Sequence, residues 1–187
     1  ISISYTDMQN ILVNSKRMNY FENYFPTIVV NLGTSSGSMQ TFDFSALPTP
    51  SSKDSLHQVY ADPTGQPGSS TFPEANLCTP SIDSGSGFSF TLVSYFRLQA
   101  DGFYLLGQYI RTYAPPLIDE EYVEKYSPKR LLIPLPLSYG TSRTGKDTSI
   151  TDSALNDYDV MTTTITCDGW GDITFPGVLG AEGMHKT

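Results

Sequence analysis

Charge is scarce in this chain: Asp, Glu, Lys and Arg make up 16% of the residues, and acids outnumber bases to leave a net charge of −8. With no cluster of Lys or Arg, such a surface repels phosphate backbones, so nucleic acid is excluded as a partner and anionic membrane surfaces are disfavoured. Long apolar runs are missing too. No segment supplies the roughly 18–20 consecutive apolar residues of a membrane-spanning helix, and no basic-then-apolar leader opens the sequence. Membrane insertion is therefore not expected, and an exported form of this chain would begin after a removed leader.

Histidine occurs twice, at His57 and His185. A Ser-His-Asp triad needs one of these beside an activated serine, and the chain has no G-x-S-x-G elbow, H-E-x-x-H, G-x-G-x-x-G or Walker-type loop. The glycine-rich "SGSGFSF" leads into a strand pattern instead of a helix, unlike a phosphate loop. No catalytic residue, cofactor or metal is assigned on these grounds. Cysteine also occurs twice, at Cys78 and Cys167. The two are not spaced as metal ligands, so either they pair or both are buried thiols. A bridge closing so long a loop would stabilise an exported protein by roughly 4–5 kcal/mol in the chain-entropy model.

What the chain does have is Ser, Thr, Gly, Pro and Tyr in abundance, the balance of an extracellular β-rich protein. Its 187 residues are enough for one domain with its own core, taken as 1–187. The fold expected is all-β: an antiparallel sandwich or strongly curved sheet, with long proline-rich loops and at most short helices.

The strongest local signal is the pair of runs "GFSFTLVSYFRLQ" (87–99) and "GFYLLGQYIRTY" (102–113), joined through Asp101-Gly102, which reads as a tight hairpin. The alternation predicts that Phe88, Phe90, Leu92 and Ser94 point mainly to the core early in the first strand. Near the N-terminus, Asp7 as a cap followed by Met8, Ile11 and Leu12 at helical spacing predicts one or two turns of helix. "TIVVNL" (27–32) and "MQTFDFSAL" (39–47) read as strands. Residues 48–80 hold six prolines and read as mostly loop, with a short strand at "LHQVYA". In 118–126 acids precede bases, which suits either a short helix or a solvated loop. "LLIPLPLSYG", broken by two prolines, reads as an edge strand or irregular, and the segments from 146 to 174 complete the sheet.

In "TTTITCDGWGDITFPG" (162–177), Met161, Thr163, Ile165 and Cys167 share a strand face, which predicts that Cys167 is buried. Asp168 to Asp172 is then the bend of a hairpin, with Gly169 and Gly171 supplying positive φ and Trp170 laid over apolar neighbours. The aspartates at 152, 157 and 159, and those flanking Trp170, lack the spacing and closing glutamate of a calcium loop. The alternative for Trp170, with Asp168 and Asp172 beside it and tyrosines nearby, is a platform on which a sugar ring stacks. Paired carboxylates of a glycoside hydrolase leave no spacing signature, so a secreted hydrolase stands as a third reading.

Five segments taken in order, "FDFS" (42–45), "FPEANL" (72–77), "SYFRLQADGFYLLG" (94–107), "LPLSYGTS" (135–142) and "DGWGDITFPG" (168–177), resemble the β-rich N-terminal regions of type IX secretion system cargo proteins. Phe42 stands where that group commonly has tryptophan, and a C-terminal sorting domain would lie downstream. The resemblance implies a secreted or surface-attached bacterial protein and carries over no catalytic residues. It also implies Asp-(Ser/Thr)-apolar O-glycosylation sites, which Ser55 in "DSL" and Ser153 in "DSA" match. The function expected is thus a non-catalytic extracellular structural or adhesive domain, self-associating or binding other surface proteins as part of a layer or fibre; a glycan-binding module is the alternative.

Overall fold

The computed structural model describes residues 2–14, 18–22, 37–43, 54–152, 158–174 and 185–186. The elements follow in the order β1 (Ser2–Ile3), α1 (Tyr5–Asn14), β2 (Met18–Glu22), β3 (Gly37–Asp43) and β4 (Asp54–Gln58). After a stretch with one turn of 3-10 helix come β5 (Leu77–Gly85), β6 (Phe88–Gln99), β7 (Gly102–Ala114), β8 (Ile118–Pro134) and β9 (Leu137–Ser138). The last are β10 (Ser142–Asp152), β11 (Tyr158–Thr166), β12 (Gly169–Thr174) and β13 (His185–Lys186). The chain is all-β with one helix among the described residues. Its centre is an open six-stranded antiparallel sheet in the order β11-β10-β8-β7-β6-β5. Shorter ladders join β1 to β9, β2 to β4, and β12 to both β3 and β13.

The β6–β7 hairpin forms as the turn signal predicts, with Gln99 opposite Gly102. Gly102 is needed for space and not for positive φ: a Cβ there would stand 2.9 Å from Leu131 and from the Tyr104 ring. The residues of β6 alternate between two apolar layers. Phe96 and Leu98 join Phe103, Leu77 and Leu135 beneath α1, which contributes Met8 and Leu12. Val93 and Tyr95 join Cys78, Leu106 and Tyr109 on the other face, covered by Phe72, Ala61 and Ala75 from the loop after β4. Each fully buried side chain of this kind contributes roughly 1.5–3 kcal/mol.

The expectation for the start of β6 is therefore corrected. Phe88 is exposed and Phe90 and Leu92 are half-buried; Ser94 is buried as expected, and Val93 and Tyr95 on the other face are sealed. The reason is reach. The covering layers stop part-way along the strands, and the end of the sheet beyond them leaves Ile82, Phe88, Tyr113, Leu117 and Ile118 exposed.

Helix α1 is longer than one or two turns, and Asp7 is not its cap. Ser4 is: its N–H and hydroxyl both donate to the Asp7 carboxylate, at 2.8 and 2.7 Å, and the Asp7 N–H returns a bond to the Ser4 hydroxyl. This reciprocal box satisfies free donors of the first turn and holds the Asp7 carboxyl below its usual range through the Ser4 bonds. Met8 and Leu12, four residues apart, are buried, whereas Ile11 faces outward.

Segment 118–126 is neither helix nor loop but the first half of β8, between β7 and β10. Cross-strand partners outweigh the helix-dipole pattern; Arg111 on β7, for example, meets Asp119 on β8 at 3.1 Å. "LLIP" ends the same inner strand and is not an edge. Pro134 is tolerated because it is the last strand residue, and Leu135 and Pro136 form a bend before β9. The loop expected before Pro80 gives way to strand at Leu77, the start of β5. The strands expected at 39–47 and in "LHQVYA" appear as β3 and β4, while "TIVVNL" lies outside the described residues.

Candidate functional site

The Trp170 segment is a strand where a bend was expected. β12 runs parallel to β3 and antiparallel to β13, with a register shift between Gly169 and Gly171. Gly171 is demanded by close approach: a Cβ on it would lie 1.7 Å from the Gln40 carbonyl oxygen. Trp170 sits at that shift, half-buried, with Asp168 exposed just before the strand. Asp172 stands in register with Thr41 on one side and Lys186 on the other. Asp168 thus precedes the strand and Asp172 lies within it, so the two are not gathered at the tip of a turn.

Cys167 is half-buried, contrary to the expected burial, because its face belongs to the outermost strand; Met161 on the same face is exposed. The cysteines do not bridge: both are free thiols. Cys78 lies on β5 and Cys167 just past β11, at opposite edges of the six-stranded sheet. Five strand spacings amount to about 24 Å along the sheet, far beyond disulfide reach. Cys78 is fully enclosed, its Sγ 3.5 Å from the carbonyls of Ala61 and Asp62. Burial first, and the nearby Asp62 charge second, push its thiol up to about 11. Ser55 lies in β4 opposite Phe21, and Ser153 is outside the described residues. His57 and His185 belong to different ladders, opposite Asn19 and Ile173 respectively.

A cleft among the described residues had no sequence signal. Between the pairs Leu105–Arg130 and Gly107–Lys125, Leu106 alone faces residues 126–129, so β8 bulges outward. The bulge and the loop at 71–74 enclose a cleft of about 460 Å³ lined by Phe72, Pro73, Lys125, Tyr126, Ser127 and Lys129, among others. Lys129 is engaged: its Nζ donates to Gln99 Oε1 at 2.9 Å, lies 3.9 Å from Glu74 and sits over the Tyr104 ring. Lys125 is exposed at the rim.

Next to the bulge, Arg130 pairs with the buried Asp147 of β10 at 2.9 Å and lies over the Tyr126 ring at 4.0 Å. Burial, and then the Glu124 charge, raise the Tyr126 phenol to about 12, so it stays a neutral hydrogen-bonding group near neutral pH. The Ser149 hydroxyl donates to Glu124. The Arg130 charge is thus neutralised by Asp147, and the cluster ties β10 to β8. It presents no activated nucleophile.

Among the described residues no three His, Cys, Asp or Glu side chains lie close enough together to hold a metal ion. Nor is any described helix long and apolar enough to cross a membrane. Beyond the cleft, one strand lies at the end of the main sheet with no further strand beside it among the described residues. β11 forms the outer edge of the sheet, and Tyr158, Val160 and Met161 are 72%, 54% and 46% exposed on it. Comparison with known proteins finds no matching family model, no matching curated protein and no matching solved structure.

Proposed function

We propose that this chain is a non-catalytic structural or adhesive domain that works outside the cell, by presenting its sheet to other protein chains. The observation that carries the reading is the open end and open edge of the main sheet. Apolar side chains stand exposed along β11 and at the uncovered ends of β5 to β8. Edge-strand backbone that no described strand pairs, beside exposed apolar side chains, is the usual template for strand addition by another chain. The low charge content and the resemblance to type IX cargo regions support export to a bacterial surface.

Light scattering across a concentration series tests the reading. Reversible association is expected at micromolar concentrations, and a strictly monomeric protein that binds no surface protein would count against it. A second reading, a glycan-binding module, is favoured by one observation: Trp170 is only half-buried, with Asp168 exposed beside it. Saturable binding on a glycan array that disappears in Trp170→Ala would select this reading.

A further inference from the structure

We propose that β11 pairs antiparallel with β11 of a second copy of this chain, about a two-fold axis at Thr163. The inference rests on the structural reading above and names its partner and register. From Val160 to Thr166 the edge carries "VMTTTIT", with no charge, proline or glycine. Those are the devices by which natural sheets blunt a free edge. The inner side of the strand is already satisfied by β10, where hydroxyl pairs Thr144–Thr164 and Ser142–Thr166 close at 2.9 and 3.0 Å.

A two-fold at Thr163 places Met161 of one copy opposite Ile165 of the other, Thr162 opposite Thr164, and Val160 opposite Thr166. Each position then meets a neighbour of its own kind or a threonine methyl, the pairing that stabilises cross-strand contacts. The two Asp159 carboxylates fall eight residue steps apart, about 27 Å, while each Asp159 comes opposite Cys167 of the other copy, one residue from its Asp168, so the only like charges that approach lie at the two ends of the paired stretch. Moving the axis to Thr162 sets Asp159 against Ile165, and moving it to Thr164 sets Val160 against Asp168; both place a carboxylate opposite an apolar side chain and lose the Met161–Ile165 pair. The opposite edge does not offer the same surface. On β5 the proline at 80 supplies no N–H, Asp83 brings charge, and Ala61 occupies the backbone of Cys78 through bonds of 2.8 and 3.0 Å. A two-fold contact closes on itself, so it builds a dimer; growth into a layer or fibre requires a further contact, for which the exposed apolar end of the sheet is available.

Sedimentation velocity on the full chain, with melting temperature as a check on folding, tests the proposal. Thr163→Lys and Thr163→Glu each place like charges directly across the axis, and each is expected to weaken dimerisation by roughly tenfold or more. An equimolar mixture of the two variants is expected to restore the dimer, because Lys then faces Glu. If the wild type associates and Thr163→Lys associates equally well, or the mixture stays monomeric, the β11 pairing is overturned while the structural reading stands. A wild type that is monomeric at every concentration overturns the β11 pairing, and the structural reading falls with it only if the chain also binds no surface protein.

Discussion

At one edge of the main sheet, β5 has a chain segment hydrogen-bonded to its outer side at Cys78, a proline at position 80 and an aspartate at 83. At the other, β11 has no proline, carries a charge only at Asp159 near its start, and leaves Tyr158, Val160 and Met161 exposed. The loop after β4 makes the difference. It wraps the β5 edge on both faces, placing Tyr60 edge-on against Phe96 and Phe103 on one and Phe72 flat on Tyr95, 4.6 Å between centroids, on the other. Among the described residues the β11 edge is held from inside, by β10 and by the Arg130–Asp147 pair behind it. Stability therefore concentrates at the closed edge, and freedom to recruit a partner at the open one.

The largest expected effect lies at the closed edge. Tyr95 is fully buried, stacked on Phe72, and its hydroxyl donates to the Pro67 carbonyl. Tyr95→Ala should destabilise the fold by roughly 3–5 kcal/mol in urea denaturation. A loss below about 1 kcal/mol would mean that the 59–76 loop does not seal this edge, and the contrast between the edges would disappear.

Asp147→Ala comes next. It leaves the mostly buried Arg130 without its partner, a cost of about 3 kcal/mol where the remaining charge cannot reach water. Because Asp147 is on β10 and Arg130 on β8, hydrogen exchange should quicken most in the β10–β11 hairpin. Uniform quickening across the whole sheet would show that the hairpin is no separate unit.

Alkaline pH should weaken the closed edge selectively. Burial raises Cys78 from about 9 to about 11 and Tyr95 from about 10 to about 12. Both groups are neutral in folded and unfolded chains below pH 9, so their contribution is then fully present. Above it the unfolded chain loses protons that the folded chain retains, and stability falls as pH rises from about 9 to 12. Cys78→Ala should flatten the lower part of that fall, as measured by melting temperature against pH. In the native protein at pH 8 a thiol reagent should reach the half-buried Cys167 well before Cys78; equal rates would mean that the closed edge opens readily.

Several elements of this fold were legible in the residues, but the contrast between the two edges was not, and the missing part has a common physical cause. The β6–β7 hairpin could be read because its turn and both strands are adjacent in the chain, and so could the buried pair Met8 and Leu12, which helical spacing alone defines. The strand character of 118–126 could not. Its acids and bases find partners such as Arg111 only across the sheet. The cleft at 126–129 arises from a register mismatch between two strands, a property of neither sequence by itself. Gly171 was flagged as special for the wrong reason, since the Gln40 backbone that crowds it is far away in the chain. Local patterns show what a segment can do alone, while edges, bulges and close approaches depend on its neighbours.

The smallest effect sharpens the comparison most. Met161 is 46% exposed on β11 and lies opposite Asp147 in the β10 ladder. Met161→Ser removes apolar surface that is already largely in water, so the stability of the monomer should change by no more than about 0.5 kcal/mol. The same change removes the side chain that meets Ile165 across the proposed two-fold, so self-association should weaken while the melting temperature of the dilute protein holds. If Met161→Ser instead costs as much as a core truncation, about 2 kcal/mol or more, the Met161 face is covered in the folded monomer. The sheet would then have two closed edges, and the difference on which the assembly reading depends would be gone.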